Sequence, residues 1–501
     1  PAATGEGRAS PVTDTGAPPS QREATTPVER LRGMQDAGPE AYRSRRTVLE
    51  RLLDVLGRHG YQLIETPVLE PTELFLRKSG AERIAQMYAV TYRNREIALR
   101  PEHTASVLRY YVESLQTEAL PLRLAYAGPV FRYERPQAGR SRQFTEVGCE
   151  LLGAPGPAGD AEVIHLAAEV LDAVGIRPRI VVGHVGIVLD FLSRLPLRQR
   201  VRDWLLWSME RLRKGQPVDL EPELASLTGS GRLAGLYQEL GASLRDVSGE
   251  QLERWVLAIL QETGVQMAGG SRTPEEIVGG VLAKLNRSHD ADDVRRSFAF
   301  VRDLAAIHGP PDEAIPALRE LIERHALDPS PITQLETVLE LLAAYGIERD
   351  RIELSPGMAR GLHYYTGVLF EVYAADQPSL QLCGGGRYDD LAQVLGARAP
   401  LPACGFSCGL ERIAEAATLS PPAAPEVTLV APAVPEALAR AAEVAEALRT
   451  AGQVVELDVR GRSTSANRRY ARRRGIHRLA LVHPDGEVQT EMLSGKGNDR
   501  E

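Results

Sequence analysis

At 501 residues the chain is long enough for more than one domain, and 43% hydrophobic with 25% charged residues is an ordinary globular balance. A formal net charge of −8 excludes a polycation, so a nucleic-acid partner would need a local basic surface. No apolar run approaches the ~18 residues of a bilayer-crossing helix, and Cys149, Cys383, Cys404 and Cys408 are too scattered for a disulfide framework or a metal site.

In chain order, residues 1–26 are rich in Pro, Ala, Thr and Gly and read as a disordered leader. They lack the basic-then-apolar order of a secretory signal, so a cytoplasmic address, with no membrane partner, follows by elimination. A linker over Val28 to Ala37 leads into a predicted helix, Ala41 to Gly60, stopped by His59-Gly60. The stretch from Tyr61 to Pro67 predicts a strand. Further strands are predicted at Ile97 to Arg100, Leu122 to Tyr133, Arg142 to Leu152 and Gly367 to Tyr373, the middle two forming a long hairpin. Short strands in hairpin order with helices between them predict an α+β core, 27–180 and 355–420, around a mostly antiparallel sheet. Between them, 181–354 reads as a helical insertion, with helices expected at Val201 to Lys214, Gln251 to Thr263, Ala291 to Ile307 and Ile315 to His325. Pro421 to Pro425 is a linker (421–425). Alternating strands and helices over 426–486 then predict a small α/β domain with a parallel sheet, and 487–501 reads as a polar tail.

No P-loop and no glycine-rich dinucleotide turn is present, so a nucleoside triphosphate would have to be gripped by another device. Arginines projecting from a sheet are one. The hairpin segment Phe131-Arg132-Tyr-Glu134-Arg135-Pro-Gln-Ala-Gly-Arg140-Ser-Arg142 is dense in them, and period-2 geometry puts Arg132 and Glu134 on one face. A guanidinium can clamp phosphate through two parallel hydrogen bonds; a surface salt-bridge hairpin is the other reading of the same residues. Near the C-terminus, Arg460, Arg462, Arg468, Arg469, Arg472, Arg473, Arg474 and Arg478 form either a phosphate-binding surface or a solvated helix face.

The arginine-rich hairpin resembles motif 2 of the class II aminoacyl-tRNA synthetases in its histidyl form. Gly405-Phe-Ser-Cys-Gly-Leu-Glu-Arg412-Ile resembles motif 3, and Tyr61 to Pro67 resembles motif 1, whose proline lies at the dimer interface. Leu99-Arg-Pro-Glu102-His-Thr104-Ala, Arg360-Gly-Leu-His363-Tyr364-Tyr365-Thr-Gly and Cys383-Gly-Gly-Gly386-Arg-Tyr-Asp-Asp narrow the resemblance to the histidyl branch, and the C-terminal domain looks like that family's anticodon-binding domain.

The resemblance implies ATP-dependent activation of histidine to histidyl-adenylate and its transfer to tRNA(His), by a homodimer. Arg132 would hold the ATP α-phosphate, Arg412 the γ-phosphate, Arg140 the outer phosphates, and Glu134 the adenine side. Arg360 would stabilise the reacting phosphate, and Mg²⁺ would bridge phosphate oxygens without a metal site of the protein's own. Glu150 and Tyr365, with Tyr364, would read imidazole; Glu102 and Thr104 face the amino group; Gly384 to Gly386 allow close backbone approach to ligand.

Three positions depart from the family pattern: Glu146 stands where glutamine contacts substrate, His363 where aspartate is common, and His103 where glycine is frequent. An ionised Glu146 beside the substrate carboxylate would repel it by about 4 kcal/mol at ~4 Å and an effective dielectric of 20, unless it faces the ammonium or is protonated. The same fold resembles a non-catalytic relative, the regulatory subunit of ATP phosphoribosyltransferase. That alternative would bind the short-form catalytic subunit and usually lacks the anticodon-binding domain. For the helical insertion, contacts to the tRNA acceptor and simple packing are both open.

Overall fold

The computed structural model of the chain describes residues 27–77, 87–133, 141–222, 224, 287–358 and 365–493, with backbone only for 287–290. Two compact units emerge, Pro1–Leu419 and Ser420–Glu501.

The first unit opens with α1 (Pro39–Arg58), which has Pro39 at its first position, Glu40 in its first turn and Arg58 in its last. Val48, Leu52, Val55 and Leu56 recur at helical spacing and form its buried face. The expected strand from Tyr61 to Pro67 is shorter: only β1 (Gln62–Leu63) enters the sheet, parallel to β5 (Leu122–Phe131). A small antiparallel sheet combines β2 (Leu69–Pro71), β3 (Tyr88–Tyr92) and β4 (Arg95–Leu99), with α2 (Thr72–Leu76) and α3 (Thr104–Tyr110) alongside.

The main sheet has eight strands. β5 and β6 (Gln143–Leu152) make the expected hairpin, in register from Leu122↔Leu152 to Phe131↔Gln143. The sheet continues through β11 (Ala403–Gly409), β10 (Gln377–Arg387), β9 (Val368–Ala374) and β7 (Pro178–His184), all antiparallel, to β8 (Ile352–Leu354), which runs parallel to β7. One face is apolar. Val147, Cys149, Leu151, Phe370 and Val372 pack there with α1 and with α4 (Pro157–Asp172), whose Ile164 and Leu171 are buried. All four cysteines are reduced and buried. Short α10 (Leu391–Val394) and α11 (Leu410–Ala416) complete the unit.

The helical insertion expected over 181–354 is corrected at both ends. Val181 to His184 belongs to β7 and Ile352 to Leu354 to β8, both in the main sheet. The helices between them are α5 (Gly186–Ser193), α6 (Gln199–Arg213), α7 (Arg287–Ala306), α8 (Pro311–Arg324) and α9 (Ser330–Ala344). They are not a body apart: Phe191, Leu205, Val294, Leu304, Leu335 and Val338 share one apolar core with the sheet. Amphipathic helices bury their stripe against the nearest apolar surface, here the sheet's helical face. The helix expected at Gln251 to Thr263 lies outside the described residues. No helix among the described residues is long and apolar enough to cross a membrane.

In the second unit, β12 (Val427–Pro432), α12 (Leu438–Thr450), β13 (Val454–Leu457), α13 (Thr464–Arg474) and β14 (Arg478–Val482) follow the expected alternation, with β13, β12 and β14 parallel. The polar tail expected from 487 is corrected by β15 (Val488–Met492), which pairs antiparallel with β14. Its side chains are mostly exposed, so it is held by its backbone ladder and leaves little apolar pattern to read.

Candidate active site

The face of the main sheet opposite the apolar one carries the polar groups. Register places Glu146, Gly148 and Glu150 of β6 beside Gly128 and Tyr126 of β5 and beside Gly409, Ser407 and Gly405 of β11. Gly384 and Gly386 of β10 continue that row. Alternation sends Gly385 to the other side, where a Cβ would meet Gly405 O at 2.2 Å, so it serves strand packing rather than ligand approach.

Glu150 is buried, and among the described residues its hydrogen-bond partners are hydroxyls, not cations. Its Oε1 accepts hydrogen bonds from Thr104 Oγ1 (2.7 Å) and Tyr126 OH (3.1 Å), and its Oε2 accepts one from Tyr388 OH. Burial pushes its carboxyl up to about 8, and the three hydroxyls offset only part of that rise. The side chain lies across Gly405, where a Cβ would stand 1.8 Å from Glu150 Oε2 and 2.4 Å from the Cys149 carbonyl. Gly405→Ala is therefore expected to displace Glu150 and cost about 1–3 kcal/mol by overpacking. A denaturant titration against the wild-type chain measures it; an unchanged midpoint would mean that the strands separate freely.

Glu146, two pleat repeats away on the same face, behaves oppositely. Its Oε2 accepts the backbone N–H and Nδ1–H of His103 (2.9 Å each), and its Oε1 faces Ser407 Oγ (3.1 Å) and Arg132 Nη2 (3.3 Å). Burial would raise its carboxyl, but the His103 hydrogen bonds and the Arg132 charge outweigh it and hold the group at about 2. Glu146 is thus ionised, with its charge met by protein groups. Two carboxylates on one strand face with opposed shifts are the pattern of a site that divides tasks between them.

The loop before α3 is pinned to this face. Buried Arg100 donates to Thr66 O (2.6 Å), Thr66 Oγ1 (3.1 Å) and Pro129 O (2.9 Å), while Arg132 Nε donates to Pro101 O (2.8 Å). Glu102, half-buried, sits between these anchors. The His103 ring stacks on Tyr126 at 4.4 Å and 11°. Arg412, on α11, donates to Gln381 O (3.3 Å) at the end of the sheet where Gly409 pairs with Glu146. The first turn of α11 is tied to β6, Glu411 accepting from Thr145 N (3.0 and 3.1 Å). Tyr365 packs against the apolar cluster that contains Tyr126 and Tyr388.

The chain matches the family model described as histidyl-tRNA synthetase over residues 33–244 and 279–413. Among curated relatives, the histidine–tRNA ligase of Methanocaldococcus jannaschii is 31% identical over 386 residues, 77% of this chain and 74% of the relative.

The chain belongs to the histidyl-tRNA synthetase family.

A second family member, the histidine–tRNA ligase of Thermococcus kodakarensis, is 32% identical over 389 residues, 77% of this chain and 73% of its own. Two solved structures share the fold. The ATP phosphoribosyltransferase regulatory subunit/histidyl-tRNA synthetase from Bacillus halodurans superposes with a TM-score of 0.61 at 23% identity, covering 89% of this chain and 97% of its own. Histidyl-tRNA synthetase from Nostoc sp. PCC 7120 gives 0.59 at 20% identity, covering 93% and 97%.

Within this synthetase-family chain, direct hydrogen bonds join Thr104 to Glu150 and Arg132 to Glu146, and the two glutamates share a strand face. Glu102 lies in the same loop, Tyr365 packs beside Tyr388's cluster, and Arg412 stands at the sheet end. Glu134, Arg140, Arg360, His363 and Tyr364 lie outside the described residues. Sequence reading missed Tyr126 and Tyr388, the hydroxyl partners of Glu150, and Arg387, whose buried pairing with Asp160 (2.8 Å) and bond to Gly156 O (2.8 Å) anchor the end of β10 next to Tyr388. The run Arg387-Tyr388-Asp389 was the available signal. His59, His165 and Glu169 have metal-ligand spacing, but they lie on and just after the helices of the opposite face, with Arg58 Nη2 3.9 Å from Glu169.

Proposed function

We propose that the chain is a histidine–tRNA ligase that activates histidine with ATP and passes it to tRNA(His). One observation carries the reading: a buried carboxyl ringed by hydroxyls, Glu150 with Thr104, Tyr126 and Tyr388, shares a sheet face with the Arg132–Glu146 pair. A carboxyl lined, among the described residues, by hydroxyls and no cation suits a ligand that brings an N–H of its own, as imidazole does.

In this reading Arg132 holds the α-phosphate and Arg412 the γ-phosphate, with Arg140 on the outer phosphates and Glu134 on the adenine side. Glu150 with Tyr364 and Tyr365 reads imidazole, and Glu102 and Thr104 stand at the amino end. Histidine's carboxylate attacks the α-phosphate, releasing pyrophosphate, and negative charge builds on that phosphate in the transition state. Arg132 and Arg360 stabilise it. ATP enters as its Mg²⁺ complex. Among the described residues, Arg132 and Arg412 at the proposed phosphate end are guanidinium groups, which fits an ion held by the nucleotide's oxygens and water. The working form is a homodimer through the Tyr61 to Pro67 region, in the cytoplasm, and the domain over 426–486 binds tRNA(His) through the Arg460 to Arg478 region.

Histidine-dependent exchange of pyrophosphate into ATP tests the reading: robust exchange is expected. Its absence, together with stimulation of a short-form ATP phosphoribosyltransferase catalytic subunit, would select a regulatory role instead.

The second unit yields a separate prediction. On α13, Arg468 and Arg474 are paired with Glu491 and Glu456, whereas exposed Arg469, Arg472 and Arg473 have no ion pair among the described residues. Reversing those three to glutamate is expected to raise the KM for tRNA by about ten-fold or more and to flatten its salt dependence, as lost phosphate contacts do. Pyrophosphate exchange, which needs no tRNA, is the internal reference. An unchanged tRNA KM would mark the cluster as a solvated helix face.

A further inference from the structure

We propose that Glu146 and His103 form a buried pair whose task is to hold Arg132 in place for the nucleotide, so that Glu146 is a positioning residue acting through Arg132 and makes no contact with histidine. The proposal rests on the reading of Arg132 as the α-phosphate ligand.

The case begins with the capacity of the carboxylate. An ionised Glu is acceptor-only, with about four lone-pair sites. The protein supplies a donor for each: His103 N and Nδ1 on Oε2, Ser407 Oγ and Arg132 Nη2 on Oε1. The side chains of Glu146 and His103 are 4% and 2% exposed, which leaves no open side for a ligand ammonium. Since an ionised carboxylate cannot donate, the His103 Nδ1 contact requires the proton on that nitrogen.

The pair is built into the scaffold rather than laid on it. The His103 ring is clamped between Tyr126, stacked at 4.4 Å, and the strand at Gly128, where a Cβ would stand 3.3 Å from Nε2 and 2.4 Å from Arg100 Nη2. Arg100 holds the strand ends around it through Thr66 and Pro129. Among the described residues, the charged groups facing Glu146 are Arg132 and Arg100, with the titratable Glu150, neutral below about pH 8, further along the strand. Arg132 is fixed at two points of its fork: Nε on the Pro101 carbonyl at 2.8 Å, Nη2 on Glu146 at 3.3 Å, with its guanidinium 5.1 Å from the centroid of the Phe144 ring. A guanidinium held at one edge by a carbonyl and a carboxylate cannot swing, and that fixes the plane it offers to a phosphate. Without the carboxylate the charge would persist but its direction would not.

The test uses the full chain and compares Glu146→Gln, His103→Ala and both changes in an Arg132→Ala background. Pyrophosphate exchange gives KM for ATP and for histidine separately, and equilibrium dialysis gives ATP affinity where turnover is too slow. Glu146→Gln is expected to raise the KM for ATP by about ten-fold while that for histidine stays within about two-fold, the loss of one charge-assisted contact. His103→Ala should shift the same parameter in the same direction. In the Arg132→Ala background, Glu146→Gln should cost no further ATP affinity, the non-additivity of residues acting as one unit. A rise confined to the histidine KM, losses that add in the double variant, or no change in either KM would each overturn the proposal. Because Glu146→Gln keeps the side chain's shape, thermal unfolding monitored in parallel separates folding from positioning. A variant that fails to fold leaves His103→Ala to decide. Wild-type chain without exchange would instead remove the reading of the site as an ATP-dependent ligase.

Discussion

Arg132→Ala is expected to lower the kcat/KM for ATP in histidine-dependent exchange by about 10²–10³-fold, the usual loss when one preorganised donor to a developing negative charge is removed. Arg132 leaves β5 on the same face as Glu146 and is anchored at Nε and Nη2, so its position is set before ATP arrives. Truncation also strips one partner from a buried carboxylate, yet His103 and Ser407 remain bonded to it. The protein should therefore still fold, with an unfolding midpoint below wild type because a buried carboxylate has lost its cation. Arg132→Lys keeps the charge and loses the planar fork, so it should recover only part of the activity. Retention of more than roughly a tenth of wild-type kcat/KM in the alanine variant would remove Arg132 from the reacting phosphate, since a group in that place contributes ~2.7–4 kcal/mol.

The second large effect is expected at Glu150. Glu150→Gln should raise the KM for histidine about 100-fold, the order expected when a hydrogen bond to a charged group is lost in a buried site. The variant should also change the pH profile. The free protein holds the Glu150 proton up to about pH 8, and free imidazole holds its own up to about 6.5. A bound imidazolium–carboxylate pair contains one proton in total. Affinity is then flat between about 6.5 and 8, falls on the acid side because a proton must leave, and falls about ten-fold per pH unit above 8 because one must be taken up. The glutamine variant should lose the alkaline limb. A wild-type profile that stays flat to pH 9.5 would dissociate Glu150 from imidazole.

The same shift has a consequence for stability. The folded carboxyl titrates at about 8 against an ordinary value of 4.5. Below pH 4.5 both states carry the proton; between 4.5 and 8 the unfolded chain gives it up while the folded chain keeps it. Stability therefore declines as pH rises through that window, and the decline is complete once the folded group ionises. Glu150→Gln removes this term, so the variant should lose less stability than wild type between pH 5 and pH 9 in denaturant titrations.

Much of this architecture follows from local pattern. Period-2 alternation with a turn-rich middle marks the β5–β6 hairpin, and the alternation of strand and helix marks the second unit. The order of short motifs, from Tyr61 to Pro67 through Arg132 to Arg412, identifies the family. The hairpin and each single motif lie within a few dozen consecutive residues, where spacing alone constrains geometry. β15 escaped because an exposed edge strand needs no apolar face. The extent of the insertion is not legible from the chain because a helix's stripe does not say which surface covers it.

Chemical identity along the chain thus determines which groups are available: guanidinium groups instead of a glycine loop, two glutamates on β6, glycines at Gly128, Gly148 and Gly405. Only the tertiary structure decides how they are partnered. Glu146 and Glu150 differ by four positions and share a strand face, yet one is ionised near pH 2 and the other neutral to about 8. The difference comes from His103 and Arg132 on one side and from Thr104, Tyr126 and Tyr388 on the other. Tyr388 is more than two hundred residues away along the chain, and no local pattern encodes a contact of that range. A carboxyl's charge state is set by the groups that replace its water, and folding chooses those groups.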